Sequence, residues 1–541
     1  MPSSLVGQAQ ENSAALQAIA HLGTAFTAFV GRTLRGPANR PVTLKSFAEF
    51  QHVFGGLWQP SPLGYAVEQF FDNGGREAVV VRVVNGARSA TLDLAAGGGT
   101  LLLRAVQPGT REFLRACVDY DNIAPENTDE FNLTIQRLRT QGTQHVEDQE
   151  IFRHLTVRPG AKRSVADALE DSQLVRLAGA PPTRRPQRTL DAASGLATGY
   201  VHSNSDGDDG APLTDYDVIG SATERTGLFA LTAAEHFNFL CIPPLSREQD
   251  VGPSTLLVAV RFCREQRAML IVDPPAHWHT VDDALRALRD WDLPSEDALM
   301  FFPRVLAHDK LRGRFESFTP CGAVAGLLAR LDEQSPPWSG AAGEEPVLRP
   351  GFRPSSLVPE DRRAKLAVFG VNTLQSVRSA ARVPVALRTL AAAAGGASDR
   401  RFLRARRLEL FIVNSIVQGT RWAAQAPRTA ELAAQVEAQV RAFFAGLRRE
   451  GAFADRCAED AFFVFCDRRV NGAEEPRIAR FQLLIGFAAA RVGEFHAYRI
   501  THTTAGSEVA PATLNRLKAA EHSPEEMQWL ERLASELRPG S

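Results

Sequence analysis

Disulfide chemistry has little to work with in this chain: six cysteines (Cys117, Cys241, Cys263, Cys321, Cys457 and Cys466) are scattered through 541 residues, and none forms a C-x-x-C pair. Most sit in apolar runs such as FNFLCIPP and FFVFCDRR, the setting of buried, reduced thiols in a cytoplasmic protein, and their spacing argues against a disulfide framework or a zinc site. Long apolar runs are missing too. None reaches the roughly 18 residues of a membrane-spanning helix, and the opening MPSSLVGQAQENSAAL lacks the basic start and apolar centre of a signal peptide. Charge of one sign is not in excess: the net value is −1, which gives no general attraction to nucleic acid or anionic membrane. Walker A, a G-x-G-x-x-G turn and H-E-x-x-H are all absent, so no nucleotide, cofactor or metal is expected. The length instead calls for two to four domains.

What is present is strongly patterned. SFAEFQHVFGG places Ser46 three residues before Glu49, a helix-start spacing, with Phe47, Phe50 and Phe54 at helical intervals. QFFDNGGREAVVVRVVNG follows: two aromatics end a helix, Asn73-Gly74-Gly75 turns the chain, and Ala78–Val84 reads as a strand buried on both faces. Residues 22–86 thus read β-β-α-α-β. From 87 to 180 short alternating segments (ATLDLAA, TLLLRAV, ACVDYDN, EFNLTIQRL) predict a β-rich insertion. Residues 181–213 are poor in apolar residues and read as an exposed linker or loop. Between 214 and 384 strands and helices alternate (NFLCIPP, STLLVAVRFCREQ, AMLIVDPP, VDDALRALRDW, ALMFFPRVL), the signature of a parallel α/β unit. In 385–503, Leu432, Val436, Val440, Phe443 and Leu447 predict a long amphipathic helix, and DAFFVFCD and EFHAYRIT read as strands. A helical segment is expected over 1–21. The tail, 504–541, ends in SPEEMQWLERLASEL, where Ser523, Pro524 and Glu526 are helix-start signals.

Catalytic candidates are few. Asp273 ends a predicted parallel strand, where α/β enzymes place functional groups, and Cys321 opens a Gly/Ala-rich helix as a nucleophile could. No histidine motif points to either, so a turn-capping carboxylate and a structural thiol are the favoured readings. His277 and His279, two apart in HWHT, suit a loop of solvated histidines better than a metal site. The arginine runs RRPQR (184–188) and RFLRARR (401–407) lack interleaved aromatics and read as solvated faces or protein–protein salt bridges.

Read in order, AFVGRTLRGPANRPVTLKSFAEFQHVFGG, YAVEQFFDNGGREAVVVRV, FNLTIQRL, FNFLCIPP, RAMLIVDPP, CGAVAGLLARLD, ARRLELFIVNSIVQGTRWAA and GAFADRCAEDAFFVFCD resemble the contractile tail sheath proteins of myophages and phage-tail-like injection systems, over roughly residues 22–500. The resemblance implies an α/β and α+β multidomain fold: a discontinuous inner domain from the N- and C-terminal regions (22–86 and 385–503), a β-rich outer insertion, and a middle domain of subtilisin-like fold without catalytic function. It implies a structural protomer, not an enzyme, that forms hexameric rings stacked helically around an inner tail tube. Baseplate and terminator or cap proteins would be its partners, with no nucleic acid and no membrane insertion. Such a protein assembles in the bacterial cytoplasm. On this reading the Asn73-Gly74-Gly75 run packs against the distant C-terminal region. Arg441, Arg448 and Arg449 would face the tube, the alternative being solvated arginines of an ordinary surface helix. The tail is longer than the family's simple strand arm, and its helix presents Met527, Leu530 and Leu537 on one face, which suits docking on a neighbouring subunit and packing back on its own subunit equally. The "PGVYVEE"-like arm and the Gly-Trp run common in the family are missing. A non-contracting baseplate or cap adaptor therefore stays open, as does a hydrolase using Asp273 or Cys321.

Overall fold

The computed structural model describes residues 18–512 apart from 141, 191–198, 292, 340–344, 379, 395–398, 428, 454–460, 467–469, 471–479 and 490–494. The first region has the predicted order: β1 (Thr27–Gly31), β2 (Val42–Leu44), α1 (Phe47–Phe54), α2 (Leu63–Asp72) and β3 (Ala78–Arg82). Ser46 caps α1 by accepting the Glu49 N–H, and Gly55 closes it at φ 86°, a conformation that costs glycine little.

The β-rich insertion contains β4 (Thr91–Ala96), β5 (Gly99–Ala105), β6 (Phe113–Asp119), β7 (Glu130–Leu138), β8 (Val146–Thr156), α3 (Val165–Glu170), β9 (Val175–Leu177) and β10 (Val201–His202). They form two antiparallel sheets, β4-β5-β9 and β10-β6-β7-β8, around a shared core of Leu92, Leu101, Ala116, Leu133 and Ile135. The expected linker 181–213 is not free where it is described. β10 pairs with β6, the Thr189 N–H donates to Val118 O, and Asp206 and Asp209 accept from Thr91 and Thr110. A stretch poor in apolar residues is held here by side-chain-to-backbone hydrogen bonds, which periodicity does not register.

The α/β region continues with α4 (Asp215–Ile219), β11 (Phe239–Cys241), α5 (Pro253–Gln266), β12 (Met269–Val272), α6 (Val281–Ala287), β13 (Ala298–Phe302), β14 (Val305–Asp309), β15 (Arg314–Phe318), α7 (Cys321–Asp332), β16 (Arg353–Pro354), α8 (Glu360–Val368), β17 (Val371–Thr373) and the ribbon β18 (Gln375–Val377) and β19 (Ala380–Arg382). Its main sheet has seven strands in the order β17-β13-β12-β11-β1-β3-β2, with β2 alone antiparallel. Phe29, Val80, Phe239, Ile271 and Phe301 face one core, and Val30, Val81, Leu240, Leu270 and Met300 face the other, as a parallel sheet covered on both sides requires.

β1, β2 and β3 of the 22–86 region belong to the same sheet as the 214–384 strands. The Asn73-Gly74-Gly75 turn is set mainly by α7, not by the C-terminal region. Arg330 of α7 donates to Asn73 O at 2.8 Å, the Arg349 N–H donates to Asn73 Oδ1 at 2.8 Å, and Gly74 sits at φ 112°. A Cβ on Gly74 would lie 2.7 Å from that of Arg330. α2 and α7 cross equally tightly: a Cβ on Gly322 or Gly326 would meet Ala66 O at 2.0 Å or Phe70 O at 2.2 Å. Backbone approach at this range explains why the segment is so clearly specified while carrying no reactive groups.

The C-terminal region comprises α9 (Leu403–Thr420), α10 (Ala430–Arg449), β20 (Phe462–Phe465), β21 (Arg480–Ala488), β22 (Phe495–Thr503) and β23 (Gly506–Pro511), the strands forming one antiparallel sheet in that order. β21 and β23 escaped the sequence reading, and β23 makes the start of the expected tail part of this sheet. The N-terminal stretch reaches the same core: Ile19 is buried with Ile412, Val436 and Phe444, and Leu22 N–H donates to Ser415 Oγ. Residues 1–17 of the expected N-terminal helix, and Met527, Leu530 and Leu537, lie outside the described residues.

Candidate functional site

The sheet brings together the two catalytic candidates. Asp273 follows β12 and Cys321 begins α7, so both stand at the carboxyl edge of the parallel strands. The Cys321 N–H donates to Asp273 Oδ1 at 3.0 Å, and Asp273 Oδ2 is sealed from solvent with no hydrogen-bond partner among the described residues. Burial pushes the Asp273 carboxyl up to about 6. Burial and then the neighbouring Cys241 thiol and Asp273 carboxyl hold the Cys321 thiol well above its ordinary range. A nucleophilic cysteine needs the opposite shift, supplied by a cation, a base or a metal. Among the described residues no histidine hydrogen-bonds Asp273 or Cys321, and His277 and His279 are exposed on the loop beyond. This edge has the composition of a packed helix start, not of an acyl-transfer centre.

The 430–449 helix has the expected amphipathic form. Thr429 caps it, and Leu432, Val436, Val440, Phe443, Phe444 and Leu447 are buried. The three arginines separate. Arg441 is braced within its own subunit, donating to Glu437 Oε1 at 2.9 Å and Val464 O at 3.0 Å. Arg448 is half-buried and Arg449 exposed in the last turn, and neither makes an ion pair among the described residues. That turn carries the negative end of the helix dipole, which both cations complement. Ala434, Ala438 and Ala442 complete the exposed face.

A polar junction that the sequence reading missed joins the α/β unit to the C-terminal region. Arg406 of α9 donates to Asp297 Oδ1 at 2.6 Å and to Glu409 Oε2 at 2.6 Å. Arg400 reaches Glu296 at 3.1 Å and Glu409 at 2.5 Å, and Tyr498 of β22 also bonds Glu409. At the next position Arg407 pairs with Asp332, which accepts the Thr24 hydroxyl at 2.6 Å. The RFLRARR run is thus no solvated face: Arg406 and Arg407 are 5% and 8% exposed. Burial opposes the Glu409 charge, but Arg406, His496 and Arg400 outweigh it and hold its carboxyl below the ordinary range. The only sequence signal was arginine and glutamate recurring on an otherwise apolar helix.

No group of histidine, cysteine, aspartate and glutamate side chains among the described residues is arranged to hold a metal, and none of their helices is long and apolar enough to cross a membrane.

With this architecture in view, comparison of folds places the chain. No protein-family model matches the sequence, and no curated protein does. Solved structures match over nearly the whole length. The sheath tail protein Lin1278 of Listeria innocua superposes with a TM-score of 0.59 at 13% identity, covering 89% of this chain and 96% of that one. The PVC sheath complex of an extracellular contractile injection system, in its contracted state, gives 0.51 at 14% identity over 91% and 94%. The sheath tail protein DSY3957 of Desulfitobacterium hafniense gives 0.50 at 10% identity over 90% and 97%. The chain has the mixed α/β multidomain fold of tail sheath proteins.

Proposed function

We propose that this protein is a sheath protomer: it polymerises as stacked rings around an inner tail tube and contracts to drive the tube through a target envelope. The observation that carries the reading is the likeness of fold to Lin1278 over 96% of that protein's length, combined with the ordered sequence runs that resemble the sheath family. A phage-tail-like particle assembled in a bacterial cytoplasm is the corresponding setting, with baseplate and cap proteins at the ends of the polymer.

Within the protomer, residues 18–24 with α9 to β23 form the tube-side body, and the seven-stranded unit is the non-catalytic middle domain that the resemblance describes as subtilisin-like. Support for the first is the packing of Ile19 and Leu22 on α9. Arg448 and Arg449 face an acidic tube surface, whereas Arg441, tied to Glu437 and Val464, serves chiefly to hold α10 on its own sheet. Met527, Leu530 and Leu537 contact a neighbouring subunit. Contraction draws on interface free energy: a few kcal/mol per copy, repeated over many copies, shifts the whole polymer.

The test is electron microscopy of the protein expressed alone and with its tube protein. Long, wide tubes are expected. Monomers or single rings under both conditions would overturn the sheath reading and favour an adaptor that caps the tube without contracting.

A further inference from the structure

An apolar groove of about 480 Å³ lies between the end of α7, the 334–339 loop, the Val383–Leu387 segment and the first turn of α9. Leu328, Leu331, Pro336, Pro384, Leu387 and Phe402 line it. Among the described residues nothing covers it, and Val385 on its wall is 69% exposed. Contiguous apolar surface of this kind marks an interaction site. On the same wall Arg404 is exposed and makes no ion pair among the described residues, whereas Arg407 and Asp332 are paired with each other.

The chain itself carries a segment that fits. The described part ends at Ala512, whose N–H donates to Ala497 O at 2.9 Å. The flanking His496 and Tyr498 both lie against Glu409, on the helix whose first turn walls the groove. Residues 513–541 follow, and PEEMQWLERLASEL at 524–537 places Met527, Leu530, Ala534 and Leu537 at helical spacing with Leu533 beside them. Its four glutamates against one arginine complement Arg404. The eleven residues 513–523 span at most about 40 Å when extended, enough to carry the segment well away from β23. Glu409 faces Asp297 and β22, while Leu403 and Arg407 lie on the other side of α9, so a tail entering the groove of its own molecule runs around that helix.

We propose that the groove seats residues 524–537 of a neighbouring copy as an amphipathic helix laid into an apolar channel. The contact is heterologous, groove to tail, and in stacked rings it links each copy to the next. The proposal rests on the sheath reading and names where its tail contact lands.

The test uses the full-length protein carrying Val385→Cys and Glu531→Cys together, treated after assembly with a short bismaleimide; the described native cysteines are buried. A ladder of cross-linked dimers and higher species is expected, reduced several-fold by Arg404→Glu and lost with Leu530→Glu. A cross-link confined within single chains would overturn the proposal by making the occupant each molecule's own tail. Absence of any cross-link in well-formed tubes would overturn it while leaving the sheath reading intact. A ladder without tubes would uphold the groove contact and remove the sheath reading.

Discussion

Asp297 and Arg406 meet at the junction of two folding units: both the Nε and the Nη2 of Arg406 contact Asp297 Oδ1, at 3.1 and 2.6 Å, and Asp297 is fully buried. Arg264 takes the second carboxylate oxygen at 3.0 Å, so the aspartate just ahead of β13 is held from two helices. Removing Arg406 leaves Asp297 with Arg264 and Glu409 with Arg400, a partial loss of compensation at two buried carboxylates that costs at most about 3–5 kcal/mol. Arg406→Ala is therefore expected to lower the denaturant midpoint substantially, read by urea unfolding, while Arg404→Ala on the exposed side of α9 leaves it within about 0.5 kcal/mol.

The same junction gives a pH dependence. Because the folded-state carboxyl of Glu409 lies below its ordinary value of 4.5, its contribution is present above pH 4.5 and is lost as pH falls through the folded value. Thermal unfolding followed downward from pH 6 should show a steeper loss for the wild type than for Glu409→Gln, which starts lower. Parallel curves would remove Glu409 from the account.

The crossing of α2 and α7 sets a steric limit. Gly326→Ala puts a methyl carbon 2.2 Å from Phe70 O, a backbone atom that yields only if the helix moves. Overpacking of this kind costs about 1–3 kcal/mol. Gly446→Ala, on α10, meets nothing within 4 Å and is expected to be neutral or slightly stabilising, since alanine is the better helix former. Equal unfolding midpoints for the two variants would contradict the packing.

How much of this was legible in the sequence depended on the physical signal each part leaves. Period and caps exposed α1, α2, α10 and the strand–helix alternation from β11 to β13, because burial of one face writes itself into residue spacing. Partnership between distant segments leaves no such trace. β1 and β3 read correctly as strands, yet nothing local said that β11 would lie beside β1. β21 and β23 were missed. β23 is an edge strand with half its residues exposed, so it carries no apolar alternation. At the candidate sites, the reading of Cys321 as a structural thiol rested on the lack of a histidine motif, and the fold adds that this thiol is buried against Asp273. Arg406 and Arg407 were misjudged, because a buried ion pair and a solvated arginine look identical until the carboxylates, more than 70 residues away in sequence for Arg407, are brought beside them.

Asp273 offers a test of opposite sign to Glu409. Burial raises its carboxyl from 3.8 to about 6, so the folded state binds this proton more tightly than the unfolded chain. The penalty is absent below about pH 4, grows between 4 and 6, and is complete above 6, where it amounts to roughly 3 kcal/mol at most. Asp273→Asn keeps an acceptor for the Cys321 N–H and removes the charge. It should raise the melting temperature at pH 7.5 and leave it unchanged at pH 4. A loss of stability at pH 7.5 would mean that the ionised carboxylate is stabilised by groups other than those seen.

The arginines of α10 separate surface function from fold, and the contrast between them is the sharpest check on the tube-facing proposal. Arg441 donates to Glu437 and to Val464 O, so Arg441→Glu faces a like charge one turn away and strands a strand carbonyl; its unfolding midpoint should fall. Arg448→Glu with Arg449→Glu breaks no ion pair among the described residues, and the loss of favourable helix-dipole interactions amounts to about 0.3–1 kcal/mol per residue. The double variant should therefore stay folded, yet co-assemble poorly with the tube protein, increasingly so at low salt, where surface charges act over a longer range. Normal co-assembly of a folded double variant at low salt would place the tube contact elsewhere. Failure of Arg441→Glu alone would report only on the packing of α10 against its sheet.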